Sequence, residues 1–119
     1  MKEYSCKAED IPKLFPSNVE HIFDDDEYYF ANEEGWLSIL GKVKFHPKYK
    51  KDRFDCDNFA DMVRVYMAEN YGLNGCGKAY GHIPEYHCFN VLLIPNGYIE
   101  YEPQTKEIVK YPIAKIYWG

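Results

Sequence analysis

Nothing in this chain is apolar for long. Its longest aliphatic run is Val91-Leu92-Leu93-Ile94, closed by Pro95, far short of the roughly 20 residues that a membrane-crossing helix needs. A basic excess is missing as well: the net charge is −5, whereas a nucleic-acid partner calls for a basic footprint. Neither a membrane nor a nucleic acid is therefore expected as a partner. The opening Met1-Lys2-Glu3-Tyr4-Ser5 lacks the apolar stretch of a secretory leader. The expected location is cytoplasmic, with Cys6, Cys56, Cys76 and Cys88 as reduced thiols. No two of these cysteines have the close spacing of a zinc knuckle. Internal repeats and low-complexity linkers are also lacking, and 119 residues allow one core, so a single domain over 1–119 is expected.

What is present is a wealth of tyrosine, twelve residues in all, which suggests a surface or cleft rich in amphipathic rings. The clearest periodicity begins at Cys56. Phe59, Ala60, Val63 and Met67 recur at spacings of three and four, with Met62 and Tyr66 to one side and Asp57, Asp61, Arg64 and Ala68 opposite. That pattern predicts an amphipathic helix with an apolar stripe toward the core. Asp52 or Asp55 supplies an N-cap, and Gly72 supplies a stop. Cys56 then lies in the first turn, where unpaired backbone N–H groups favour a thiolate and lower the thiol pKa.

Before this helix, Ile11, Leu14 and Phe15 suggest a helical turn, with Pro12 at its start and Pro16 ending it, and Ser17 or Asn18 would cap another through Val19 and Ile22. Asp24-Asp25-Asp26-Glu27 reads as solvated surface, with a hard-cation site as the competing idea. Glu33 to Leu40 predicts a helix capped by Asn32, with Trp36, Leu37 and Leu40 on one face. Lys42 to Arg53, broken by Pro47, predicts a basic loop that brings Tyr49 near Cys56. The rest predicts strands: 78–83, 86–94, 98–101, 107–111 and 115–118. Helices followed by strands predict an α+β fold, a central helix packed on an antiparallel β-sheet.

His87 opens the strongest strand, and Glu102 ends the next one. Thiol, imidazole and carboxylate are the groups that a cysteine hydrolase uses as nucleophile, proton carrier and orienter. Their register depends on the hairpin. A two-residue Asn96-Gly97 turn puts Glu102 opposite Val91, while a four-residue loop over Leu93 to Asn96 puts it opposite His87. Glu100 shares that face as a spare, and Asn90, turned away from His87, is expected to make a structural hydrogen bond.

Together, Asp55-Cys56-Asp57-Asn58-Phe59-Ala60, His87-Cys88-Phe89-Asn90 and Glu102-Pro103-Gln104 resemble the papain-like cysteine peptidase domain fused to a fungal galactose-binding lectin, and its stand-alone phage and microbial relatives. The His-to-Glu-Pro spacing also resembles transglutaminase-like peptidases. The resemblance implies a papain-like/transglutaminase-like fold and a small cysteine peptidase or amidase working through a thioester. Cys56 would be nucleophile, His87 acid and base, and Glu102 orienter. A peptide or protein is then the substrate, and calcium the modulator, with Asp57, Asn58, Glu102 and Gln104 as candidate ligands. The alternative is an inactive papain-like protein-binding module, for example a phage or viral factor acting on a host protein. Oligomeric state is left open by the sequence.

Overall fold

The computed structural model describes residues 1–44, 48–82 and 85–119. Pro47, expected to break the basic loop, and Ile83, expected within a strand, lie outside the described residues. Among those described, eight strands accompany two α-helices: β1 (Tyr4–Lys7), β2 (Glu20–Ile22), β3 (Glu27–Phe30), α1 (Glu33–Leu40), α2 (Cys56–Tyr71), β4 (Cys76–His82), β5 (Tyr86–Ile94), β6 (Gly97–Glu102), β7 (Glu107–Val109) and β8 (Lys115–Tyr117). Two short 3-10 turns, Ala8–Asp10 and Pro12–Leu14, follow β1.

The two helices form where the sequence pattern puts them. In α1 the Asn32 side chain accepts from the Gly35 N–H at 2.8 Å. Its buried face is Trp36, Ile39 and Leu40, with Leu37 exposed rather than inward. In α2 the N-cap is Asp55, whose own N–H is given to the Asn58 side chain at 3.1 Å. The inward stripe is Phe59, Ala60, Val63 and Met67. Gly72 ends the helix in the left-handed region (φ 65°), its N–H returned to the last turn.

The sheet departs from expectation in two ways. Its order is β2-β8-β4-β5-β6-β7, and β2 runs parallel to β8, so the sheet is mixed rather than antiparallel. A separate two-stranded sheet pairs β1 with β3. The turn expected about Ile11, Leu14 and Phe15 forms as the 3-10 turn Pro12–Leu14, whereas the one expected through Val19 and Ile22 is replaced by β2. Tyr28 and Phe30 alternate inward along β3, and a period of two buries both rings on one side. The expected papain-like/transglutaminase-like arrangement, a central helix on an antiparallel sheet, is therefore corrected. The fold is dominated by strand, with α2 packed on one face of a mixed six-stranded sheet.

The core fills the space between that sheet and the helices. Trp36, Trp118, Tyr28, Phe89 and Met67 are fully buried. The Trp36 indole N–H donates to the Leu93 carbonyl at 2.6 Å, which fixes α1 to β5. Asn90, also fully buried, donates its side-chain amide to the carbonyls of Ala60 at 3.0 Å and Gly77 at 3.2 Å. One side chain of β5 thus joins α2 and β4, as the expected structural role for Asn90 requires. Gly77 must be small: a Cβ there would meet Ile116 at 2.7 Å and Trp118 at 3.0 Å.

Replacing Asn90 with Ala removes both bonds and is expected to lower stability by about 1–3 kcal/mol, measured as a shift in the urea midpoint. A loss within about 0.5 kcal/mol would mean that packing alone holds α2 to β5.

Candidate functional site

The β5–β6 turn determines what reaches His87. Ile94 pairs with Gly97, so the turn residues are Pro95 and Asn96, the latter at φ 62°. Proline presets the first turn position and asparagine tolerates the second. Neither expected loop occurs: with Asn90 opposite Tyr101, continued alternation carries Glu102 to the level of Phe89. It then lies diagonal to His87 on the same face, within reach of a long side chain.

The structure accordingly brings His87 and Glu102 together. The imidazole Nε2 and the carboxylate Oε1 are hydrogen-bonded, with Glu102 only 4% exposed. Three further contacts hold this pair. The Tyr111 hydroxyl donates to Glu102 Oε1 at 3.3 Å, the Gln104 backbone N–H donates to Oε2 at 3.2 Å, and the Tyr111 ring lies edge-on to His87, centroids 5.9 Å apart. Burial raises the Tyr111 hydroxyl pKa, and the Glu102 charge adds to it. Glu100, the spare candidate, is used elsewhere: it accepts the Tyr111 N–H at 2.8 Å.

Cys56 begins α2, beside the residue that follows His87. Its half-buried sulfur accepts a hydrogen bond from the backbone N–H of Cys88, the residue that follows His87. The expected lowering of the Cys56 pKa is reversed. Burial pushes the thiol up, the Asp55 and Asp57 carboxylates add to it, and the Cys88 N–H opposes them. The two acids are also bonded to each other, which raises Asp57 and lowers Asp55.

The remaining expected groups are dispersed. Asn58 accepts the Asp55 N–H in the cap, and Asp57 is paired with Asp55. Gln104 is exposed beyond β6 and bonds to Glu102 through its backbone. No cluster of three or more His, Cys, Asp or Glu side chains suited to a metal occurs among the described residues. Tyr49, expected beside Cys56, is 54% exposed. Of the acidic block, Asp25 accepts the Asn74 side chain at 3.0 Å.

Sequence reasoning passed over Tyr111, and it gave Tyr80 and Cys88 no place beside Cys56. Tyr111 gave no local signal, because its role depends on how the segment after β7 folds back. Cys88 and Tyr80 were accessible through alternation: they face each other across β4 and β5, and Cys88 shares its parity with Asn90, which reaches α2.

Solved structures similar to this chain include the following two. The PSL1a–E64 complex aligns with a TM-score of 0.70 and 19% identity, over 95% of this chain and 51% of that one. Polyporus squamosus lectin, bound to the human-type influenza-binding epitope Neu5Acα2-6Galβ1-4GlcNAc, aligns with a TM-score of 0.68 and 19% identity, over 95% of this chain and 49% of that one. The chain spans about half the length of these solved chains. No family model matches it, and no curated protein does.

At this identity the likeness shows the fold, one found in chains of a lectin. The expected kinship with papain-like and transglutaminase-like peptidases is corrected by it. The peptidase or amidase activity, the peptide or protein substrate and the inactive papain-like protein-binding alternative are withdrawn on the same finding, since the similar solved chain with a named glycan is a lectin. The cause lies in the motifs: a few residues around Cys56, His87 and Glu102 specify a local arrangement of groups, and one fold hosts unrelated functions.

Removing both carboxylates that flank the thiol, in Asp55→Asn with Asp57→Asn, is expected to lower the Cys56 pKa. The pH midpoint of its alkylation by iodoacetamide should move down from above the usual thiol range, with faster labelling at pH 7.5. An unchanged midpoint would assign the elevation to burial alone.

Proposed function

We propose that Cys56, His87 and Glu102 form a reactive-thiol site, in which Cys56 captures an electrophilic carbon once its proton has passed to His87. The observation that carries this reading is His87 bonded to the buried Glu102, one residue before the N–H that holds the Cys56 sulfur. The carboxylate fixes the ring and leaves Nδ1 for the thiol proton. The Cys88 N–H and the first-turn N–H groups of α2 receive the negative sulfur. A thiol whose pKa is raised rests neutral, so reaction requires that proton transfer.

Iodoacetamide tests the site directly: the sulfur–carbon bond forms as iodide leaves. At pH 7.5 Cys56 should label at least tenfold faster than Cys6, Cys76 or Cys88, and His87→Ala should remove most of that advantage. Equal labelling of all four in the folded protein, or a Cys56 rate indifferent to His87, would sink the proposal.

A second reading, glycan binding, is favoured by a specific surface feature. Tyr80 and the half-exposed Tyr86 stack at 5.2 Å with planes 15° apart, Tyr117 lies edge-on to Tyr80, and Lys115 stands 5.2 Å above the Tyr117 ring. Aromatic faces beside a cation suit the apolar side of a sugar and an acidic substituent. The sialylated trisaccharide named for the lectin is the probe. Saturable binding by isothermal titration, weakened at least tenfold by Tyr86→Ala, would support this reading, and heats no greater than dilution would exclude that glycan.

A further inference from the structure

A second thiol stands beside the reactive one. Along β5, Cys88 has the same parity as Asn90, and Asn90 reaches the Ala60 carbonyl of α2. The Cys88 side chain therefore projects toward the helix, one strand repeat nearer its N-terminal end. The Cys88 N–H is bonded to the Cys56 sulfur, and the Cys56 charge acts directly on the Cys88 thiol. Tyr80, opposite Cys88 on β4, donates its hydroxyl to the Cys88 sulfur. Both cysteines are free thiols, one half-buried and one fully buried. The geometry that pairs them is the shared face: Cys88 projects from β5 toward the N-terminal turns of α2, and Cys56 is the first residue of that helix.

We propose that Cys88 is the resolving thiol for oxidised Cys56, so that a peroxide closes a Cys56–Cys88 disulfide and switches the site off. In the first step the Cys56 thiolate attacks a peroxide oxygen. A sulfur–oxygen bond forms, the oxygen–oxygen bond breaks, and water leaves after protonation. In the second, the Cys88 sulfur attacks the sulfenic sulfur, the sulfur–sulfur bond forms, and the sulfenic oxygen departs as a second water. Burial keeps Cys88 from solvent oxidant, so Cys56 is the sulfur oxidised first. The Tyr80 hydroxyl stabilises negative charge on Cys88 as it attacks. A dithiol reductant reverses the bond by exchange and restores the free Cys56.

The oxidative sequence rests on the reactive-thiol reading, whereas the closeness of the two sulfurs does not. The full chain is treated in parallel with hydrogen peroxide, which needs a reactive Cys56, and with diamide over long incubation, which needs only two neighbouring thiols. Alkylation under denaturing conditions and peptide mapping then locate the bonds. Expected are a Cys56–Cys88 link under both oxidants, intact Cys6 and Cys76, and loss of Cys56 labelling by iodoacetamide that dithiothreitol restores. Cys88→Ser, and Cys88→Ala as a second replacement for a buried position, should give no link and leave a Cys56 sulfenic acid that dimedone traps. A link under diamide with slow, His87-independent alkylation would remove the reactive-thiol reading and keep the pair. Fast alkylation of Cys56 with no link from either oxidant would keep that reading and overturn this one. A disulfide joining any other pair of cysteines would also overturn it.

Discussion

The alternation of one strand, pinned in register by one side chain, is the constraint on which the rest depends. β5 lies between β4 and β6 with α2 across it, so every residue of the strand is committed to one of two faces. Asn90 settles which face is which by donating to a carbonyl of α2 and a carbonyl of β4 at once. Once Asn90 faces the helix, so does Cys88, and His87 and Phe89 face Glu102 and Tyr111. A slip of a single residue would exchange the two sets. The buried amide thus fixes the orientation of the groups at the site without touching any of them.

Much of this was legible in the sequence. The spacing of Phe59, Ala60, Val63 and Met67 identified α2 and its inward face, and the run from Tyr86 to Ile94 identified β5 to its ends. The hairpin was seen, although its register was not. Asn-Gly invited a turn at residues 96 and 97, yet Pro95 occupies the first turn position and moves the turn back by one residue. That single residue decides whether Glu102 reaches His87. The N-terminal strands were hidden for another reason. β2 is three residues long and draws its stability from β8, almost a hundred residues away, and no local pattern records a parallel pairing of that kind.

The thiol's electrostatics were the least legible. A cysteine in the first turn of a helix reads as activated. The same position brings the capping Asp55 and its neighbour Asp57 alongside, and burial of the sulfur disfavours its charged form. The residues that suit a helix start are thus the ones that oppose a thiolate there. Function was obscured in a similar way, because the motifs describe a geometry about three side chains and the fold they sit on is shared with chains of a lectin.

A raised thiol and an imidazole braced by a buried carboxylate belong together. Were Cys56 a standing thiolate, the charges of Asp55 and Asp57 would repel it. A neutral thiol avoids that repulsion. In the proposed site its proton passes to His87, whose ring Glu102 fixes, while the Cys88 N–H and the helix start receive the sulfur charge. Negative charge then develops on sulfur only as positive charge develops on the ring beside it, so the two acids of the first turn suppress the idle thiolate more than the reacting one. The capping residues that the helix requires for its own stability in this way also set when its first side chain becomes reactive.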